Sequence, residues 1–214
     1  MRTVLALALL GLAAPSPPAA PAQEKPKLPD EVPPRFGLPY RPKAYPQATP
    51  KQALDSVVEA ADRGEVGYLV AHLLDPAFVD ARVADRGRQY EPAVEAELAK
   101  VRDFQRKNPA DVPAEARLPD DPARFQARVA ADARARAFAQ LVRDAGAKFA
   151  DDPESLKDLR RFARGGTFPD PAAPDLAAKV GLPDLKDRAV FLKKIGDRWF
   201  VENKQAEDKI EEKK

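Results

Sequence analysis

Side chains able to do chemistry are scarce in this chain of 214 residues. It has no cysteine and a single histidine, His72. Past residue 22 the non-tyrosine hydroxyls are Thr49, Ser56, Ser155 and Thr167. A Ser–His–carboxylate arrangement would have to join His72 to Ser56 or Ser155. Ser56 falls inside a helical run with no strand–turn–helix nucleophile elbow, and Ser155 falls in the first turn of another helix. Both positions speak against a nucleophile. His72 lies near the end of a short helix, with Tyr68 one turn before it and Asp75 three residues after. Packing or capping at a helix end accounts for a histidine there. A metal set of His72, Asp75 and Asp80 is the competing reading. One histidine and no cysteine suit zinc poorly, and no Asp-x-Asp-x-Asp-Gly loop marks a calcium site. From these residues no catalytic, cofactor-binding or metal-ligating set is expected, and no cofactor.

The remaining candidates are weaker. Gly165-Gly166 could cradle a phosphate, but it follows a helix, whereas phosphates sit at helix N-termini; a C-terminal cap is the simpler reading. Lys157, Arg160, Arg161 and Arg164 could meet an anionic surface, yet they fall where basic residues suit a helix end or a solvated face. Arg134, Arg136 and Arg143 fit the polar side of a long helix. Trp199, the only tryptophan, is read as an anchor of a C-terminal hairpin against the helices, with ligand stacking as the alternative.

The elements that must position these groups follow from pattern. Met1-Arg2-Thr3 precedes the apolar run Val4–Ala14, and Ala20-Pro21-Ala22 offers small residues at a cleavage site. This predicts a signal peptide over residues 1–22 and a mature chain that acts outside the cytoplasm, secreted or periplasmic. The run is too short to span a bilayer, which takes about 20 apolar residues, so no transmembrane anchor is expected after cleavage. Without cysteine, neither lipid anchoring through a thiol nor a disulfide framework is available. The charges are balanced, 36 basic against 34 acidic, which argues against a protein that coats nucleic acid.

Of 23 prolines, those at 15, 17, 18, 21, 26, 29, 33, 34, 39, 42, 46 and 50 crowd the N-terminal quarter. Proline lacks an N–H donor and restricts its predecessor. Residues 23–48 therefore read as an extended, partly disordered arm of polyproline character. Within it Phe36, Tyr40 and Tyr45 either staple the arm to the domain, stand exposed, or form a partner motif. One domain is expected over 49–204. It opens with Thr49 as cap, Pro50 at the first helical position and Gln52 completing a capping box. Leu54, Val57, Val58 and Ala61 share a face, and Gly64 stops the helix. A second helix is expected from Glu65 to Leu74. Ala77–Val83 reads as either strand or helical turn. Longer helices follow over Gln89–Lys107 and Pro122–Ala150, joined by a loop over 108–121, and another over Pro153–Arg164. The repeated Asp-Asp-Pro at 120–122 and 151–153 reads as two helix starts, not a carboxylate pair. A proline-bearing loop follows Gly166. Ala189–Ile195 and Arg198–Asn203 flank Gly196-Asp197 as a β-hairpin. Residues 205–214 read as a charged, disordered tail.

Two stretches resemble the NTF2-like superfamily. One is the opening pair, from Thr49-Pro50-Lys51-Gln52 through Gly64-Glu65 to His72-Leu73-Leu74-Asp75-Pro76. The other is the closing Val190–Ile195, Gly196-Asp197 turn and Trp199. The resemblance implies a curved sheet wrapped round a helix to form a conical pocket, used for binding, catalysis or scaffolding. The middle of this chain reads as helices where the superfamily has strands, and no functional residue carries over.

The fold class expected is thus α+β and helix-dominated, several helices packed with a C-terminal β-hairpin, with an NTF2-like core implied by the resemblance. The leading functional reading is a non-enzymatic binding or scaffold protein, with an envelope protein or a small apolar ligand as partner. The rival is a hydrolase or isomerase using carboxylates such as Asp80, Glu91 or Glu95 in an apolar pocket. A third is a structural envelope component recognised through its arm.

Overall fold

The computed structural model describes residues 32–169, 176–185 and 188–204. The expected signal peptide, the first part of the arm and the charged tail lie outside them. Helix α1 (Pro50–Asp62) starts as its sequence dictates: the Thr49 hydroxyl accepts from the Gln52 amide at 3.2 Å, and Gln52 Oε1 accepts from the Ala48 amide at 3.1 Å. Gly64, at φ +70°, ends it. Such a backbone is open to glycine at little cost. Helix α2 (Val66–Tyr68) runs directly into a π-helical turn, Leu69–Leu73, every residue of which is buried.

Helix α3 (Pro76–Lys107) is continuous through the stretch that alternation left open between strand and helix. Ala77–Val83 forms its first two turns, because the Asp75 side chain caps the Ala77 amide at 3.0 Å and Pro76 is preset for the first helical position. Val79 and Val83, four apart, then face the core. Pro92 lies inside this helix, where it leaves the Arg88 carbonyl without its usual donor. Helix α4 (Pro122–Asp151) and helix α5 (Pro153–Gly165) both begin at the Asp-Asp-Pro repeats. Asp121 accepts from the Arg124 amide at 2.8 Å, and Asp152 from the Ser155 amide at 3.2 Å.

Three strands form an antiparallel sheet in the order β1 (Ala177–Gly181), β2 (Ala189–Ile195), β3 (Arg198–Val201). The β2–β3 hairpin turns at Gly196, φ +59°, with Ile195 opposite Arg198. Strand β1 falls where only a loop was expected after Gly166. Its Ala-Ala-Lys-Val-Gly has a single β-branched residue, so it is made by the β2 ladder, Val180 opposite Val190, and not by its own propensity.

Three apolar clusters organise the described residues. One joins Tyr45, α1, the π-turn, the start of α3 and Ala137 of α4. A second sets the other face of α1 (Ala53, Leu54) and α5 (Phe162, Ala163) against the sheet, with Trp199 among them. Trp199 is therefore the hairpin's anchor. The third consists of Val94, Phe125, Val129 and Ala133, with Tyr90, Leu98 and Leu118 beside them. It is built from α3, α4 and their connecting loop alone, so the outer half of this helical pair is a two-helix projection. At 1.5 Å per residue α3 is about 48 Å long.

Gly166 tests the second cluster. It caps α5 by donating its amide to the Phe162 carbonyl at 2.9 Å. That makes it a C-cap, not a phosphate cradle. A Cβ here would come within 2.4 Å of the same carbonyl and of Val180 Cγ1. Gly166→Ala is expected to lower stability by about 1–3 kcal/mol, as overpacking does. Urea unfolding checks it; a loss under ~0.5 kcal/mol would mean that α5 and β1 are not so closely apposed.

Candidate functional site

The chemistry-bearing residues converge where residues 32–48 meet the π-turn. Their prolines suggest an extended arm. Instead this segment is built into the fold, because its aromatic, Leu and Gln side chains find partners that proline content does not disclose. Phe36 stacks on Phe138 of α4 at 4.2 Å between centroids. Tyr45 is fully buried against Tyr68 at 4.6 Å. Arg35 donates from Nε to the Ala71 carbonyl at 2.8 Å and pairs with Asp80 at 2.7 Å. The Arg41 amide donates to Tyr68 Oη at 3.1 Å, and its guanidinium pairs with Glu65 while lying 4.5 Å from the Tyr68 ring. Gln47, 2% exposed, donates from Nε2 to the His72 carbonyl at 3.0 Å and the Trp199 carbonyl at 2.8 Å.

His72 is at the centre. It is fully buried, flanked by Tyr68 at 4.8 Å and Tyr40 at 5.8 Å. Its Nε2 lies 2.9 Å from the Leu38 carbonyl, and its Nδ1 is buried with no hydrogen-bond partner among the described residues. A carbonyl only accepts, so Nε2 carries the hydrogen. Burial holds the imidazole pKa below its ordinary value; the Leu38 bond opposes this, and Arg198, Arg35 and Arg41 reinforce it. Burial likewise raises the Tyr68 phenol, partly offset by the Arg41 amide. The Arg41 guanidinium holds the Glu65 carboxylate below its usual range. A neutral histidine closed off from solvent and already committed to a backbone carbonyl cannot exchange protons with a substrate. In this geometry it fastens one segment to another.

The metal reading of His72, Asp75 and Asp80 fails on geometry: Asp75 caps α3, Asp80 binds Arg35, and His72 faces Leu38. Ser56 is buried and donates to the Pro46 carbonyl at 2.8 Å, another tie to the N-terminal segment. Ser155 donates its hydroxyl to Asp152 within a helix cap. Asp80, Glu91 and Glu95 are spread along α3, the first and last about 22 Å apart, with Asp80 on Arg35 and Glu95 accepting from Gln126 at 2.8 Å. The α5 basic residues are largely matched in place: Lys157 with Glu154, Arg160 with Asp62, Arg161 with Asp158 and Asp184. Arg136 pairs with Glu97, Arg143 bonds Gln140, and Arg134 packs beside Gly87.

No family model, curated protein or solved structure matches this chain. No helix among the described residues is long and apolar enough to cross a membrane. The site therefore has to be read from its own residues.

Sequence reasoning placed His72 near a helix end but missed its bond to Leu38 and the role of Gln47. Neither has a local signature, since the partners lie 34 residues away in one case and 25 and 152 in the other.

Proposed function

We propose that this chain is a non-enzymatic binding or scaffold protein of the extracytoplasmic space, presenting the outer half of the α3–α4 pair to an envelope protein. The carrying observation is the exposure of Val101 and Phe104, 45% and 54%, one helical turn apart on that projection. Lys100 and Lys107 adjoin them on α3, while Asp103 lies between them in sequence, Glu97 one turn before Val101, and Arg106 pairs with Asp120. An exposed apolar spot within a mixed-charge surround fits a protein surface that offers an apolar pocket. Two further observations support the reading. His72, Ser56 and Ser155 are all engaged in holding the fold, and the Val4–Ala14 run has the make-up of an export signal. The NTF2-like likeness of the two ends belongs to the same proposal, since that superfamily includes scaffolds.

A photo-crosslinking residue at position 104 tests the reading in envelope-bearing cells, with the exposed position 157 of α5 as control. The expected result is a light-dependent adduct with one envelope protein at 104 and none at 157. Equal labelling at both positions, no adduct at 104, or recovery of the chain in the cytoplasm with Met1 retained would overturn it.

A further inference from the structure

We propose that residues 35–41 form a strap that lets go of the π-turn when His72 takes up a second proton. The ring has one place for that proton. Nε2 already donates to the Leu38 carbonyl, so the proton must enter at Nδ1, which is buried and faces no acceptor among the described residues. The groups around it would not stabilise the charge. From the strap come Arg35, Tyr40 and Arg41, with Tyr45 just beyond. From α2 comes Tyr68, and from β3 comes Arg198, whose guanidinium lies 4.7 Å from the Tyr40 ring. The nearby carboxylates, Asp80 of α3 and Glu65 before α2, are matched to Arg35 and Arg41. An imidazolium here would stand among three guanidiniums with its Nδ1–H unpaired in a dry site.

Release of the strap is the smallest movement that relieves this. Arg35, Tyr40 and Arg41 all belong to it, so two of the three cations leave together and water reaches Nδ1. The ties that open are those of Leu38 to His72, Arg35 to Ala71 and Asp80, Phe36 to Phe138, the Arg41 amide to Tyr68 and the Arg41 guanidinium to Glu65. Tyr45 and Gln47, deeper in the core, hold the rest of the segment. The sign follows from which form binds the proton better. The released ring titrates near the ordinary 6.5, and the docked ring is held lower. Docking is thus favoured above about 6.5 and weakens as pH falls below it. The docked-to-released ratio therefore falls between pH 7.5 and 5, by at most about thirtyfold, the limit in which only the released ring takes up the proton.

Amide hydrogen exchange on the full chain at pH 7.5 and 5, corrected for intrinsic rates, reads this directly. The Arg41 amide, bonded across to Tyr68 Oη, should lose protection, by at most about thirtyfold, while Val129 in α4 is unchanged. His72→Gln, which keeps a donor for Leu38 but cannot titrate, should show the same protection at both pH values. Unchanged protection in the natural chain, or the same acid loss in His72→Gln, overturns the proposal. Because His72 is the only histidine, its ring nitrogens can also be followed by NMR in the unaltered protein. The ring should acquire its second proton together with strap loss; a ring that becomes doubly protonated while the Arg41 amide stays protected would overturn the mechanism without recourse to any variant.

Discussion

Tyr45→Ala is expected to lower the unfolding free energy by about 3–5 kcal/mol, the range for emptying a buried aromatic site. Tyr45 is fully buried although it lies in the most proline-rich part of the described chain. It fills the space between α1 and the π-turn and packs on Tyr68, with Arg41 and Arg63 lying 5.2 and 5.9 Å from its ring. The cavity left by alanine borders helical backbone, which collapses poorly. Tyr45→Phe is the informative companion. The Tyr45 hydroxyl is buried near Arg63 and Glu65 with no well-formed hydrogen bond among the described residues, so removing it should change stability by less than about 1 kcal/mol in either direction. Urea denaturation with a constant slope measures both. A loss below 1 kcal/mol for the alanine variant would mean that residues 32–48 are not part of the folded unit in solution.

Gln47→Met should cost about 2–4 kcal/mol, because it keeps the side-chain length but strips a donor from two buried carbonyls, each worth about 1–3 kcal/mol unpaired. Gln47 also completes the edge of the sheet. Its carbonyl accepts from the Trp199 amide at 2.9 Å while its side chain donates to the Trp199 carbonyl, so one residue pairs with β3 much as a neighbouring strand would. The Asp75 amide does the same further along, donating to the Val201 carbonyl at 2.9 Å. Together they close an edge that would otherwise be open to strand addition. Gln47→Met is therefore expected to increase self-association as well as to lower stability, and sedimentation alongside urea unfolding separates the two effects. A variant as stable as the natural chain would show that water replaces the lost donor.

The helices were legible because their signals are local. Asp121-Pro122 and Asp152-Pro153 place a cap and a preset φ at adjacent positions, and the bounds read from them match α4 and α5 closely. The β2–β3 hairpin was legible for the same reason, with Gly196-Asp197 between two β-rich runs. Strand β1 was not, because its Ala-Ala-Lys-Val-Gly becomes a strand only by pairing with β2. Ala77–Val83 was ambiguous because seven residues cannot separate a period of 2 from one of 3.6 when the apolar positions are few. The π-turn was invisible too: one residue of extra backbone within a helix leaves no mark on composition.

His72 shows where the division falls. The residues alone establish that it is the single histidine, that it sits near a helix end, and that no cysteine or second histidine can join it. Those facts follow from side-chain chemistry and helical spacing, which are properties of a few neighbouring positions. The tertiary structure decided the rest: that the ring is buried, that Leu38 accepts from it, and that three arginines from two distant parts of the chain surround it. Burial and charge environment are sums over groups brought together by folding, so they exist only once residues 35–41, the π-turn and β3 have met.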